Sequence, residues 1–404
     1  MTVTEERVND AVQERPCWLD VDLDAVSENV RSIVRLVGSG TRVCAVVKAE
    51  AYGLGAVEVA RAALAAGAER VAVARVAEAI QLRQAGIRAP ILLIAGFVQS
   101  EAEAIVRHRI TATVVQARDG LALARAAGRL GSVVDVHLKI DTGLTRYGAP
   151  LTEVPNLVRL LRGLPTVRLE GLYSHFASAD EEDRSYTDEQ LRRLFQVVQE
   201  IEALDGLGWR PPIVHAANSA ATLREPTSWL HMVRVGIALS GHYPSTEMPR
   251  DLPLRPAVAL RARLLAVKDV PKGTPIGYNR TYVADRQLRV GLVPAGYADG
   301  VPRSHSNRAV ALVAGTRLPL IGRVSMDQCV VDLTENPWAS PGNVVTLFGR
   351  DAFGELSLDE YAGWSDTIVH EALCRVGPRV PRRYLAGDRS WWGTVSEALV
   401  GTLG

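Results

Sequence analysis

A single lysine, Lys48, closes the apolar run Cys44–Val47, and Tyr52 and the glycines Gly53 and Gly55 follow within a few residues in V-V-K-A-E-A-Y-G-L-G. An amine held where a buried strand opens into a loop loses part of its hydration. Its pKa then falls from about 10.4, and it can condense with a carbonyl as a Schiff base. A charged residue that merely caps a strand and reaches water also accounts for one lysine. Other polar residues close strand-like runs elsewhere: Lys139 and Asp141, His175, Asn218 with Ser219, and Arg234. Each has an ordinary structural reading, as an internal ion pair, a satisfied core histidine or a helix cap. Convergence on one place would give them a shared chemistry, so the question becomes which elements carry them.

Strand-like runs alternate with helical patterns through the first part of the chain. After an opening strand, Cys17 to Leu23, and a helix from Asp24 to about Val37, the runs are Cys44 to Ala49, Arg70 to Arg75, Pro90 to Ala95, Thr111 to Val115, Asp135 to Asp141, Leu169 to Phe176, Ile213 to Asn218 and Met232 to Leu239. Between them apolar residues recur at helical spacing, as in Val154 to Leu161 and Leu191 to Ile201. Eight strands with helical crossovers predict a (β/α)8 barrel, whose functional residues gather at the C-terminal ends of the strands. From about Pro253 short β-rich runs with Pro and Gly turns predict a mostly β domain, and Gly241 to Pro256 reads as the junction. The expected division is a barrel over 18–250 and a β domain over 251–404, joined by the segment 1–17.

The chain of 404 residues balances 46 basic against 45 acidic side chains, net +1, which predicts neither a nucleic-acid face nor an anionic tail. The polar start Met1 to Pro16 lacks a secretory h-region, and charges or glycines interrupt every apolar run before about 18 residues, so no membrane span is expected. Cys17, Cys44, Cys329 and Cys374 lie far apart without a metal-ligand spacing and read as reduced core thiols of a cytoplasmic protein, with no metal site.

Several strings are more specific. V-V-K-A-E-A-Y-G-L-G at 46–55, H-L-K-I-D-T-G-L-T-R at 137–146, G-L-Y-S-H-F-A-S-A-D-E at 171–181, H-A-A-N-S-A-A at 215–221, V-R-V-G-I at 233–237, G-Y-N-R-T-Y at 277–282, P-A-G-Y-A-D-G at 294–300 and G-R-V-S-M-D-Q at 322–328 resemble alanine racemases in order and spacing from about Cys17 to Tyr384. The resemblance implies a fold-type III pyridoxal 5′-phosphate (PLP) enzyme that acts on a small amino acid as a head-to-tail homodimer with shared active sites. Lys48 then matches the lysine that forms an imine with the cofactor. Tyr52, Asn218, Ser219 and the backbone of Gly236 and Ile237 match residues around its phosphate, and Arg234 matches the arginine facing its ring nitrogen. Tyr278 matches a second base supplied by the partner subunit, assisted by His175. Arg146, with the backbone of Met326, matches the substrate-carboxylate site, and Lys139 matches a lysine carbamylated in many relatives. Tyr297, Arg303, Arg323, Asp327 and Ile368 match the substrate corridor.

The chain departs from the usual pattern at five positions. Glu50 and Leu54 stand where relatives usually have Asn and His, Thr145 and Asn279 where glycine is usual, and His370 replaces a tyrosine that touches the phosphate and narrows the inner gate. Imidazole is shorter than phenol, so a roomier pocket that accepts serine is one expectation, and a simple exchange of one phosphate hydrogen bond for another is the other. A fold-type III decarboxylase would carry an acid at the ring nitrogen, against Arg234. A PLP-binding protein without turnover would have no use for Tyr278.

Overall fold

In a computed structural model, which describes residues 16–204 and 209–387, the chain divides into two compact units, Val26–Arg255 and the remainder, Met1–Ala25 with Pro256–Gly404.

The first unit is a barrel of eight parallel strands: β2 (Arg42–Val46), β3 (Arg70–Val73), β4 (Ile91–Leu93), β5 (Ile110–Val114), β6 (Val134–Lys139), β7 (Val167–Tyr173), β8 (Ile213–His215) and β9 (Met232–Val235). Neighbours pair in sequence order from β2 to β8, and β9 returns to pair with β2 through Cys44 and Arg234. The ring closes between β8 and β9 by single bonds, His231 N to Val214 O (3.1 Å) and Arg234 N to Ala217 O (3.0 Å). Helices outside supply the second apolar layer. Val154–Arg162, for example, buries Val154, Leu157, Val158 and Leu161, one face of a 3.6-residue repeat. With both faces covered, the strands read as continuous apolar runs, β5 being buried at all five positions.

All eight barrel strands stand where sequence patterning puts them, but they end earlier. The runs drawn to Ala49, Asp141, Phe176 and Asn218 stop at Val46, Lys139, Tyr173 and His215. Burial continues past the last ladder bond, so apolar patterning overshoots the point where the backbone turns. Lys48, Asp141, His175, Asn218 and Ser219 therefore follow strand ends, while Lys139 and Arg234 lie within strands.

The second unit is mostly β. Its ten-stranded sheet runs Ala266–Val270, Leu288–Val293, Cys329–Asp332, Thr316–Ile321, Val310–Val313, Val344–Arg350, Val258–Arg263, β1 (Cys17–Asp22) and Arg382–Leu385, with Glu355–Leu356 beside Val344–Arg350. β1 is thus no part of a domain that starts at residue 18. It pairs antiparallel with Val258–Arg263 and parallel with Arg382–Leu385, and the division falls after Ala25. Thr316–Ile321 escaped patterning because Pro319 interrupts its ladder opposite Val310. Cys374 corrects a second expectation: it is exposed, whereas burial pushes the Cys17, Cys44 and Cys329 thiols up to about 12. Among the described residues no helix is long and apolar enough to cross a membrane.

Candidate active site

Lys48 leaves the barrel two residues beyond β2 and opens an unusual turn. Ala49, Glu50, Ala51 and Tyr52 all have φ between 50° and 59°, one turn of left-handed helix closed by Ala51 N to Val47 O (2.9 Å). Such backbone costs about 1–2 kcal/mol per residue, so side chains must hold it. Two carboxylates do so. Glu78 accepts from Ala49 N (2.7 Å), and Glu50 accepts from Ala56 N (3.0 Å), at the start of the next helix, and from Gln81 (2.8 Å). Glu50 is therefore anchored to the scaffold, and Leu54 lies in the core at 1% exposure. The two departures from the usual motif fix this turn. The turn leaves Lys48 and Tyr52 half-buried, with the Lys48 amine 5.9 Å from the centre of the Tyr52 ring.

The Tyr52 hydroxyl rests against Gly236, where a Cβ would collide with it. Ser219 Oγ accepts the Gly236 N–H (2.9 Å). Asn218 is the N-cap of Ser219–Arg224, its side chain accepting from Ala221 N (3.0 Å), which places Ser219 on the first helical turn. Ile237 opens a short 3-10 helix directly after Gly236. Two hydroxyls, a glycine backbone and a helix start gathered in one place suit a phosphate group.

Arg234 is buried and almost fully engaged. Nη1 lies 2.6 Å from His215 Nδ1, and Nη2 reaches Ser174 O (3.0 Å), Ala216 O (2.8 Å) and His175 Nδ1 (3.0 Å). Burial lowers its pKa, but a guanidinium stays charged at working pH and only donates. His175 must therefore accept at Nδ1 and carry its proton on Nε2. Burial, then the charges of Arg234, Lys139, Arg146 and Lys48, hold its pKa well below the usual imidazole range, so it is neutral. Those mutual influences also place the four cations around one site at the strand ends.

Lys139, on β6, is 6% exposed and its amine lies over the rings of Tyr147 (5.4 Å) and Tyr173 (5.5 Å). Among the described residues no carboxylate is within ion-pair distance of it. Burial first, and then Arg234 and Arg146, bring its pKa down to about 8, opposed only in part by Asp141. Asp141 is committed elsewhere: its Oδ1 accepts from Gly143 N (2.9 Å) and Thr145 N (3.1 Å), shaping the loop that ends in Arg146. Thr145 has φ 53°, which explains why glycine is usual there, and Asn279 has φ 59° for the same reason.

Tyr278, Tyr297, Met326 and His370 belong to the second unit. Tyr278 is 69% exposed on a short 3-10 turn after Gly277, whose φ is 75°. Tyr297 and Met326 are exposed on two loops that lock together through Tyr297 N to Ser325 O (3.0 Å) and Ala298 N to Met326 O (3.0 Å). His370 is half-buried at the second position of the helix Val369–Cys374.

Sequence reasoning passed over His215, His137, Glu170 and Arg70, which are linked to Arg234 inside the barrel. The available signal was alternation: His137 and Lys139 are two apart on β6 and so share its inward face.

Family models described as the alanine racemase N-terminal and C-terminal domains match residues 21–244 and 257–384. The chain is 43% identical to the curated alanine racemase of Desulfovibrio desulfuricans and 40% identical to that of Methanococcus maripaludis, each over 92% of this chain and 99% of the relative. The crystal structure of alanine racemase from D-cycloserine-producing Streptomyces lavendulae superposes with a TM-score of 0.87 at 37% identity, covering 92% of this chain and 98% of that one. Alanine racemase from Bacillus anthracis with bound L-Ala-P gives 0.86 at 38% identity, over 92% and 96%.

Proposed function

The chain belongs to the alanine racemase family, and from that premise we propose that it interconverts L- and D-alanine as a PLP-dependent homodimer with shared active sites, in the cytoplasm. The observation that carries the reading is Arg234. A buried guanidinium fixed by two carbonyls and two imidazoles stands among Lys48, Lys139 and Arg146 on a barrel whose neighbouring loop forms a phosphate-shaped cradle.

When bound, PLP supplies a conjugated ring that stabilises negative charge at the substrate Cα. The residues of this chain do the rest. Tyr52, Ser219 and the backbone of Gly236 and Ile237 would hold the phosphate, with Asn218 placing Ser219. Arg234, permanently protonated, would face the ring nitrogen of the cofactor and leave it uncharged, which would weaken the ring as an electron sink and disfavour side reactions such as transamination. Racemisation needs a proton carrier on each face of Cα. The Lys48 amine takes the proton of the D-enantiomer, and the phenol of Tyr278, from the partner subunit, takes that of the L-enantiomer. His175, neutral with its proton on Nε2, assists that phenol. Arg146 and the Met326 backbone hold the substrate carboxylate, with Tyr297 beside them. A carbamate on Lys139, which has no carboxylate within ion-pair distance among the described residues, would turn a buried cation into an anion that orients Arg146.

The test is entry of solvent deuterium at Cα across a panel of L- and D-amino acids, with purified protein and PLP. Alanine should exchange fastest in both forms. Absence of exchange from alanine would overturn the assignment, and faster exchange from serine would support a second reading, in which His370 widens the pocket. Tyr278→Phe should abolish exchange from the L-enantiomer while cofactor still binds. Lys48→Ala should bind PLP that borohydride cannot fix to the protein.

A further inference from the structure

A row of five polar side chains crosses the barrel interior. Arg234 Nη1 meets His215 Nδ1 (2.6 Å), His215 Nε2 meets His137 Nδ1 (2.9 Å), His137 Nε2 meets Glu170 Oε2 (3.0 Å), and Arg70 grips Glu170 with two bonds of 2.9 Å. His137 and His215 are fully buried, and Arg70 is nearly so. The backbone is shaped to allow this. The β6–β7 register slips between Val136 and His137, so Glu170 is the extra residue of a bulge and is turned toward His137. The next residue is Gly171, where a Cβ would come within 2.6 Å of the His137 ring. Tyr173 stacks on His215 at 4.5 Å and 7°, its own hydroxyl held by Thr113 (2.7 Å).

The row has one possible direction. Arginine only donates, so His215 accepts at Nδ1 and carries its proton on Nε2. That proton goes to His137 Nδ1, so His137 carries its own on Nε2 and donates to Glu170. Burial raises the Glu170 carboxyl, but the bonds from His137 and Arg70 outweigh it and hold the group well below the usual carboxylate range, so it is an acceptor. Burial likewise keeps both imidazoles neutral. The two ends therefore agree along the row, and the only donor beside a donor is Arg70 Nη1 at 3.5 Å from His137 Nε2, longer than every bond in the row.

We propose that Glu170 and Arg70 are positioning residues for Arg234: through the tautomers of His137 and His215 they oblige a lone pair, never an N–H, to face its guanidinium. Without the carboxylate the order can reverse. Arg70 Nη1 already lies 3.5 Å from His137 Nε2 and, once unpaired, would donate to it. His137 would then protonate on Nδ1, His215 would accept at Nε2, and its Nδ1–H would confront Arg234 and displace it. The effect on turnover rests on the proposed role of Arg234, whereas the tautomers do not.

The experiment is long-range proton–nitrogen NMR of histidine-labelled protein, first without cofactor and then with it. In the wild type both histidines should be neutral and protonated on Nε2. A proton on Nδ1 of either, or a charged ring, would overturn the proposal whether or not the protein racemises alanine. Glu170→Gln should mix the tautomers and lower kcat by about 10- to 100-fold, the scale for outer partners of an active group, with KM little changed. Arg70→Met with Glu170→Gln removes the competing donor, so it should restore the tautomers and most of the turnover. Should the single variant fail to fold, the wild-type spectra and the double variant still decide. An unaltered tautomer pattern in Glu170→Gln, or no rescue in the double variant, refutes the idea.

Discussion

The Tyr52 hydroxyl lies against Gly236, in the space a Cβ at residue 236 would need. Gly236 has a negative φ, −120°, so it is not a left-handed turn that calls for glycine here but the approach of the phenol, which fills the space a Cβ would take. Gly236→Ala should therefore push Tyr52 aside. PLP affinity should fall about tenfold or more, corresponding to loss of about 1.4 kcal/mol, while the thermal stability of the cofactor-free protein changes little. A fluorescence titration with PLP, paired with a melting curve, checks both halves.

If Lys139 carries the proposed carbamate, stability should depend on carbon dioxide. As a free amine its pKa is down to about 8 in the folded chain, against 10.5 unfolded, because burial and the neighbouring arginines oppose its charge. The folded form binds the proton less well, so the lysine penalises folding fully below pH 8. That penalty, about 3 kcal/mol, fades as pH rises from 8 through 10.5. Carbamylation would replace the cation with an anion among three cations and remove the penalty. At about pH 7.5, bicarbonate should raise the melting temperature of the wild type by a few degrees and leave Lys139→Met unchanged. In carbonate-free buffer the methionine variant should be the more stable of the two, and a wild type indifferent to bicarbonate would count against the carbamate.

How far the sequence carried this picture depended on whether the physics was local. The eight barrel strands were legible because parallel strands covered on both sides are apolar without interruption, and Lys48, Lys139, His175 and Arg234 stood out as polar residues closing such runs. The left-handed turn at Ala49–Tyr52 was not legible, since it is stabilised by Glu78, distant in sequence, and contains no glycine among its four residues. The row from Arg234 to Arg70 was hidden for a related reason. It joins β3, β6, β7, β8 and β9 and depends on a bulge, which strand periodicity does not reveal. β1 was found as a strand, but only its partners Val258–Arg263 and Arg382–Leu385 show which sheet it serves.

Thr145 tests how the loop that presents Arg146 is held. A β-branched residue at φ 53° carries about 1–2 kcal/mol of strain, and glycine there would relieve it at some entropic cost to folding. Thr145→Gly should stabilise the protein by at most about 1 kcal/mol and leave the Asp141 bond to residue 145 intact. Asp141→Ala removes that bond and the one to Gly143 together. With Arg146 no longer oriented, KM for alanine should rise about tenfold and kcat change less, measured by steady-state kinetics in both directions.

Arg379 ties the two loops that present Tyr297 and Met326. It holds the buried Asp299 with two bonds (2.7 and 2.8 Å) and Asp327 with a third (2.8 Å), and the two acids hold its own pKa up. Asp299 in turn accepts the Gly296 N–H (2.9 Å), and Gly296 leaves no room for a Cβ beside Ser325 O and Met326 O. If the Met326 amide receives the substrate carboxylate, loosening this clamp weakens ground-state and transition-state binding alike. Arg379→Met should then raise KM for alanine several-fold with kcat nearly unchanged, and Arg379→Lys, which keeps the charge but loses the paired geometry, should fall between. A drop in kcat at constant KM would instead place the clamp's influence on the proton transfers, and the proposed role of Met326 would have to be withdrawn.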